Sequence, residues 1–162
     1  IFSQLSKNIE HACMRARTYS LEAHRIALFL RTQDFHHVGT EIELPFKSAF
    51  PHELLKYCQD GFKKIFNARH EYRASGIILS KLSPAGQSQL DLFGRHTKAA
   101  HMTRLYEHID HAEQKHGRHT VFLGSSFQAQ KASEYEYVRN ASQSAHGKHI
   151  GIPLLMASIA DA

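Results

Sequence analysis

The sequence predicts an α+β fold, in which an antiparallel sheet is covered on one face by two helices and is followed by a smaller tail of helical and mixed structure. Two segments carry apolar residues at the three- and four-residue spacing of amphipathic helices, and three others are typical of strands. Their order is helix, strand, strand, helix, strand, so both helices can cover one face of the sheet. This order matches a split βαβ–βαβ arrangement whose first strand is absent and would precede Ile1.

Residues 2–18 are predicted to form the first helix and residues 51–68 the second. The apolar stripes are Phe2, Leu5, Ile9, Ala12, Cys13 and Ala16 in the first helix and Leu54, Cys58, Phe62, Ile65 and Phe66 in the second. Pro51 suits the first turn of a helix, where a backbone N–H is not needed. Because Cys13 and Cys58 fall on these stripes, we interpret them as small buried hydrophobic residues rather than as catalytic thiols.

Residues 24–33, 40–47 and 72–82 are predicted to form the three strands. In the first strand, Ile26, Leu28 and Leu30 share one side, and Arg25, Ala27, Phe29, Arg31 and Gln33 share the other. Pro45 has no N–H to donate, so the second strand should have an edge or a bulge at that point. The third strand alternates poorly, and its pattern does not decide which face Ile78 takes.

The tail is predicted to begin with a third helix over residues 98–116, which Gly117 would end. Unpaired sheet edges seek partners, so we expect another segment or another chain to take the place of the absent first strand, and the short strand candidate Thr120–Leu123 is one segment that could do so. Residues 128–149 are polar and should form loops, and residues 150–155 are a further strand candidate.

Composition indicates a globular chain with a basic surface. The 162 residues carry a net charge of +5, and residues 1–84 hold twelve Lys and Arg against eight Asp and Glu. A basic first half is compatible with a polyanionic partner, although an ordinary solvated surface explains it as well. No apolar run has the length of a membrane span, no signal peptide is visible, and two cysteines fit a reducing cytosol, so we expect a cytoplasmic protein.

The sequence shows no recognisable active site. Fourteen histidines invite a metal hypothesis, and His108 and His111 share a face of the third helix, but no HExxH or CxxC motif completes a ligand set. Ser125 and Ser126 follow a glycine without a GxSxG motif, and no P-loop occurs. Asp34 and Asp91 lie in unrelated contexts, so no two-metal carboxylate site is visible. We therefore predict no catalytic residue and no metal site.

A binding surface is better supported by the residue pattern. Arg25, Arg31 and Gln33 project from the strand side opposite the apolar one, and Lys47, Arg73 and Lys81 are possible additions from neighbouring strands. A cationic sheet face can hold a nucleic-acid backbone through phosphate contacts without reading bases. The alternative is an ordinary solvent-facing side.

The segment "GQSQLDLFGR", residues 86–95, places apolar side chains in a connection between predicted elements. Apolar residues in a connection gain nothing if they stay exposed, so this cluster is a candidate docking peptide. The alternative is that Leu92 and Phe93 pack on their own domain.

Six stretches resemble the C-terminal part of a Y-family translesion DNA polymerase, especially the UmuC-like branch. They are "ACMRAR", "HRIALFLRTQDF", "FPHELLKYCQDGFKKIF", "YRASGIILSKLSP", "QSQLDLF" and "IDHAEQKHGRHTVFLG", which occur in the family's order. The resemblance implies that residues 1–84 are most of the little finger, the family's extra DNA-gripping domain, whose sheet lies against DNA. It also implies a palm, fingers and thumb before Ile1, and Mg²⁺ would belong to that catalytic part.

"QLDLF" is similar to the pentapeptide with which bacterial polymerases dock on the sliding clamp. The resemblance implies that Gln89 hydrogen-bonds in a clamp pocket, that Leu90 and Asp91 belong to the extended peptide, and that Leu92 and Phe93 bury in an apolar cleft. We therefore expect three regions: a DNA-binding domain over residues 1–84, a linker with the clamp motif over residues 85–97, and a tail over residues 98–162. The alternative function is a stand-alone basic α+β adaptor that binds RNA or protein.

Overall fold

A computed structural model of the chain describes residues 1–86, 95–117 and 119–133. The chain divides into a unit Ile1–Gln130 and a second unit that begins at Lys131, and the description below concerns the first. Its elements are α1 (Phe2–Thr18), β1 (Leu21–Thr32), β2 (His37–Ser48), α2 (Pro51–Ile65), β3 (Tyr72–Pro84), α3 (Arg95–His116) and a 3₁₀ turn (Gly124–Ser126). A fourth α-helix occupies residues 127–133. The α+β prediction is confirmed.

The described sheet is antiparallel, in the order β2-β1-β3. Because β1 runs antiparallel to both neighbours, β2 and β3 are parallel to each other. They are joined by α2 and separated by β1, which is a split βαβ unit. The register between β1 and β2 shifts where Ala23 faces Ser48 and Arg25 faces Glu43. Pro45 lies within that interval, so the predicted irregularity of the second strand is confirmed.

The core lies between the sheet and the first two helices. It is built from the buried side chains of Ile9 and Cys13 in α1, Ile26 and Leu28 in β1, Leu44 in β2, and Leu54 and Cys58 in α2. The two thiols are free and have no exposed area, and burial raises the pKa of Cys58 to about 12. A thiol with so high a pKa stays protonated and unreactive at neutral pH, as the interpretation of both cysteines as core residues requires.

The second helix is three residues shorter than predicted. It ends at Ile65, because Phe66 takes an extended conformation with ψ 128°. The ring of Phe66 stacks on Phe62 at a centroid distance of 4.7 Å and on Tyr72 at 5.6 Å. This aromatic contact with β3 replaces the last helical turn that the apolar spacing predicts.

The α3 helix contacts α1 and the start of α2 through polar and aromatic side chains. Arg17 donates from Nε and Nη2 to the two carboxylate oxygens of Asp110 at 2.8 and 2.6 Å, and from Nη1 to the carbonyl of Ala49 at 2.8 Å. Its guanidinium lies over the ring of Tyr106, 4.6 Å from the centroid, and that ring stacks on Phe50. The helix that opens the predicted tail therefore packs on residues 1–84.

The segment after α3 lies along α1 and is not a strand, so the prediction of a strand at Thr120–Leu123 is wrong. The N–H of Leu123 donates to Oε1 of Glu10 at 2.7 Å, and the hydroxyl of Ser126 donates to the same oxygen at 2.9 Å. Further along, the N–H of Ala129 donates to Ser3 Oγ. These hydrogen bonds attach the end of the segment and the residues after it to α1 instead of to the sheet.

Burial raises the pKa of Glu10, against the hydrogen bonds that it accepts from Leu123 and Ser126. Its second carboxylate oxygen, Oε2, is buried and has no hydrogen-bond partner among the described residues. The residue thus anchors the segment after α3 through one oxygen while the other stays unsatisfied. The prediction of loops over residues 128–149 is wrong for residues 128–133, which are helical, and the rest of that range and the strand candidate at 150–155 lie outside the described residues.

Candidate nucleic-acid interface

One face of the sheet is not covered by α1 or α2. It carries the side chains of Arg25, Ala27, Phe29 and Arg31 in β1, as predicted, because Ile26, Leu28 and Leu30 turn into the core. Their partners on the same face are Glu43, Glu41, Gly39 and His37 in β2, and Ser80, Ile78, Gly76 and Ala74 in β3. Ile78, whose face the sequence leaves open, lies on this side and is 54% exposed.

At one end of the open face, positive and negative side chains pair. Arg25 donates to Glu41 and to Glu43 at 2.9 Å each, and Lys81 donates to Glu43 at 2.5 Å. Lys81 and Arg25 lower the pKa of the Glu43 carboxyl to about 2, and Glu43 in turn raises the pKa of Arg25. Two cations and two carboxylates form a network without net charge, so this end attracts an anion weakly.

At the other end, two arginines converge on one aromatic ring. The guanidinium carbons of Arg31 and Arg73 lie 4.5 and 4.6 Å from the centroid of Phe35, which belongs to the turn between β1 and β2. Within the described ranges, no carboxylate oxygen lies within 4.0 Å of either guanidinium. The Nε of Arg31 is buried and lacks a hydrogen-bond partner there. At this end of the face, therefore, neither arginine is engaged in an ion pair with a carboxylate of the described residues.

The other two predicted residues occupy different places. Gln33 is exposed in the same turn as Phe35, and its N–H donates to the carbonyl of Glu71 at 3.0 Å. Lys47 lies at the far end of β2 from His37, where its charge opposes the burial that raises the pKa of Glu22. The structure thus brings Arg31, Gln33 and Arg73 together and leaves Arg25, Lys81 and Lys47 apart from them.

Between the two ends, the ring of Phe29 lies directly on Gly76 of β3. A Cβ atom at position 76 would collide with three ring atoms of Phe29, so only glycine leaves room for the ring. The far end of this aromatic side chain therefore reaches across to β3 and covers the Gly76 backbone. The middle of the open face consequently carries an aromatic ring between its two ends.

Sequence reasoning did not single out Phe35. The residue stands in the turn "TQDFHHVG", and only the fold shows that Arg31 and Arg73 meet at its ring. An aromatic residue between two strands, close after an arginine, is the signal that was available. The predicted clamp motif, Gln89–Phe93, lies outside the described residues.

The fold and the face together define a small α+β domain that presents a basic sheet surface opposite its helices. Residues 1–92 match the impB/mucB/samB family C-terminal domain. The match covers more than half of the 162 residues, and the chain belongs to this family. The predicted resemblance to the C-terminal region of a Y-family DNA polymerase is thereby confirmed. No curated protein sequence matches the chain significantly. Among the described helices, none has an apolar stretch that could cross a lipid bilayer.

Proposed function

We propose that this domain grips primer–template DNA through the open face of its sheet and docks on the bacterial sliding clamp through Gln89–Phe93, as part of damage-bypass DNA synthesis in the cytoplasm. The observation that carries the DNA proposal is the pair of guanidiniums, Arg31 and Arg73, which have no ion pair with a carboxylate of the described residues, at one end of an uncovered sheet face. Arginine N–H groups bind phosphate oxygens in pairs, and such contacts give affinity without base recognition.

The two ends of the open face differ in how their cations are paired, so its residues should contribute unequally to DNA binding. Arg25 and Lys81 already satisfy two carboxylates, and a phosphate would have to compete with Glu41 and Glu43 for them. Arg31 and Arg73 have no such competitor among the described side chains. We therefore place the main DNA contact at Arg31 and Arg73, with Gln33 beside it and Arg25, Lys81 and Lys47 as secondary contacts.

Nucleotidyl transfer by a polymerase of this family would need a metal-binding catalytic part. We do not propose such a role for this chain. Among the described residues, no three His, Cys, Asp or Glu side chains come together as a metal site. The function proposed for these residues is positioning: holding a duplex and tethering it to the clamp. Mg²⁺ would act only in the catalytic part of a complete polymerase.

The test is equilibrium binding of the full chain to a fluorescently labelled primer–template duplex across a series of salt concentrations. Arg31→Ala combined with Arg73→Ala should weaken binding at least tenfold and reduce the slope of log K against log salt by about 2. The matched control is Lys56→Ala combined with Lys64→Ala, which removes the same charge from exposed positions of α2, on the helical side of the sheet. The control should bind like the parent chain.

If both double variants lose the same DNA affinity, binding depends on the net charge of the chain and not on the open face of the sheet. Tighter binding to single-stranded RNA than to the duplex would favour the adaptor alternative.

A further inference from the structure

We infer that Phe35 positions Arg31 and Arg73 to clasp a phosphodiester segment, an inference that rests on the proposed DNA binding. Phe35 has φ 66°, in the left-handed region that glycine and asparagine tolerate and bulky residues avoid. It is nevertheless a large aromatic residue and is 58% exposed. The turn therefore keeps a strained residue that contributes little to the core.

The turn fixes the backbone beneath this ring. The N–H of Phe35 donates to the carbonyl of Thr32 at 3.2 Å, and the N–H of His36 donates to Thr32 Oγ1 at 3.2 Å. Thr32 itself is buried, with 5% of its surface exposed. The ring is thus held at the tip of a rigid turn. Strain that persists at such a position points to a role beyond folding.

The contacts of the Phe35 ring with two arginines indicate what this role is. A guanidinium that lies over an aromatic ring uses the face of its plane, and its N–H edge remains available for hydrogen bonds. Arg31 reaches the ring from β1 and Arg73 from β3, so one phenyl group fixes two cations that come from different strands. Like charges repel, and the electron-rich ring offsets that repulsion.

The chemical class of the ligand follows from this arrangement. Both guanidinium carbons lie within 4.6 Å of one ring centroid, which is close enough for neighbouring phosphates of one strand to contact both cations. A single carboxylate, like a single phosphodiester, offers two anionic oxygens and pairs with one guanidinium edge, so a ligand must carry several anionic groups in sequence to engage both. The site therefore favours the repeated anionic groups of a nucleic-acid backbone.

The experiment uses the full chain and the labelled primer–template duplex described above, with the variants Phe35→Gly, Phe35→Leu and Phe35→Tyr. Phe35→Gly should keep or raise the melting temperature, because glycine relieves the strain, and should weaken DNA binding about fivefold with a smaller salt slope. Phe35→Leu keeps an apolar side chain without a π face and should also weaken binding. Phe35→Tyr keeps the π face and should bind like the parent. Tyr19→Leu removes another exposed aromatic ring and serves as the control.

The results distinguish a failure of the inference about Phe35 from a failure of the proposed DNA binding. If Phe35→Gly and Phe35→Leu bind like the parent while the Arg31 and Arg73 double variant does not, the inference is wrong and the proposed function stands. If all three Phe35 variants bind the duplex as tightly as the parent chain, but Phe35→Gly melts at a lower temperature, Phe35 has only a structural role. If the parent chain itself does not bind the duplex, the proposed function fails as well.

Discussion

Arg17 and Asp110 form a two-point ion pair that joins α1 to α3, with N···O distances of 2.8 and 2.6 Å. Only 15% and 22% of the two side chains are exposed. Removing the charge of one partner would leave the other charge partly buried without a counter-charge, which is costly. We expect Asp110→Asn to lower the free energy of unfolding by about 2 kcal/mol, measured by urea denaturation.

The matched control is Asp60→Asn, because Asp60 faces Lys63 at 3.8 Å with both side chains largely exposed. Surface pairs of this kind contribute little, so the control should change stability by less than about 0.5 kcal/mol. Equal effects in the two variants would show that the ion pair to α3 contributes no more than a surface pair.

Glu43 pairs with both Arg25 and Lys81 on the open face, so neutralising it should free Lys81 and leave Arg25 paired with Glu41. We expect Glu43→Gln to strengthen binding to the primer–template duplex about threefold and to steepen the salt dependence, because one opposing charge is lost and one cation is freed. Glu53→Gln, on α2, is a control of equal charge away from the open face. Weaker binding in Glu43→Gln would mean that the ion pairs hold Arg25 and Lys81 in the geometry that DNA needs.

Glu10 should make stability depend on pH. Burial raises its pKa in the folded chain, so the folded state binds the proton more tightly than the unfolded state does. Its contribution is therefore most favourable below the unfolded pKa and is lost as pH rises through the raised folded pKa. We expect Glu10→Gln, which keeps an acceptor for Leu123 and Ser126, to be slightly more stable than the parent at neutral pH.

The measurement is thermal melting of parent and variant across the pH range between the unfolded and folded pKa of Glu10. The difference between them should shrink as pH falls, and Glu107→Gln, an exposed position on α3, should show no such trend. A variant that is less stable than the parent at every pH would mean that the carboxylate charge is needed to hold the segment after α3.

The proposed clamp motif, Gln89–Phe93, gives a prediction of its own. Leu92→Ala combined with Phe93→Ala should abolish binding to the sliding clamp and leave DNA binding nearly unchanged. A short peptide should bind at micromolar affinity, about −8 kcal/mol, and two buried side chains at roughly 1.5–3 kcal/mol each supply much of it. Calorimetry with purified clamp and the melting temperature of the same variant are the paired measurements. Persistent clamp binding would contradict the assignment, and unfolding would show that these are core residues.

The strands and the first two helices were predictable because each buries one regular stripe of apolar residues. Ile26, Leu28 and Leu30 alternate without interruption, and that alternation alone fixes which side of β1 faces the helices. Ile78 lies between Ile77 and Leu79, where both faces of the strand are apolar, so only its pairing with Ala27 decides its side. The segment Thr120–Leu123 has strand-like residues, but a polar anchor on α1 overrides that local preference.

The cations of the candidate site were predictable as a set, and their pairing was not. Arg25 and Arg31 lie on the same side of β1, yet Arg25 is opposite Glu43 and also reaches Glu41, whereas Arg31 is opposite His37 and Ala74. Register decides this difference, and register depends on the long-range pairing of strands. The contribution of Phe35 depends on Arg73, which lies far along the chain and reaches the turn only in the folded sheet.

The contact between Phe29 and Gly76 has a spectroscopic consequence. The circulating electrons of an aromatic ring displace the resonances of protons close to it, so the chemical shifts of the Gly76 α-protons should differ clearly from those of other glycines. Gly39 pairs with Phe29 from β2, and the chemical shifts of its α-protons give an internal reference. Because this ring lies midway between the neutral and the cationic ends of the face, the Gly76 resonance reports in solution how a bound ligand disturbs the sheet surface.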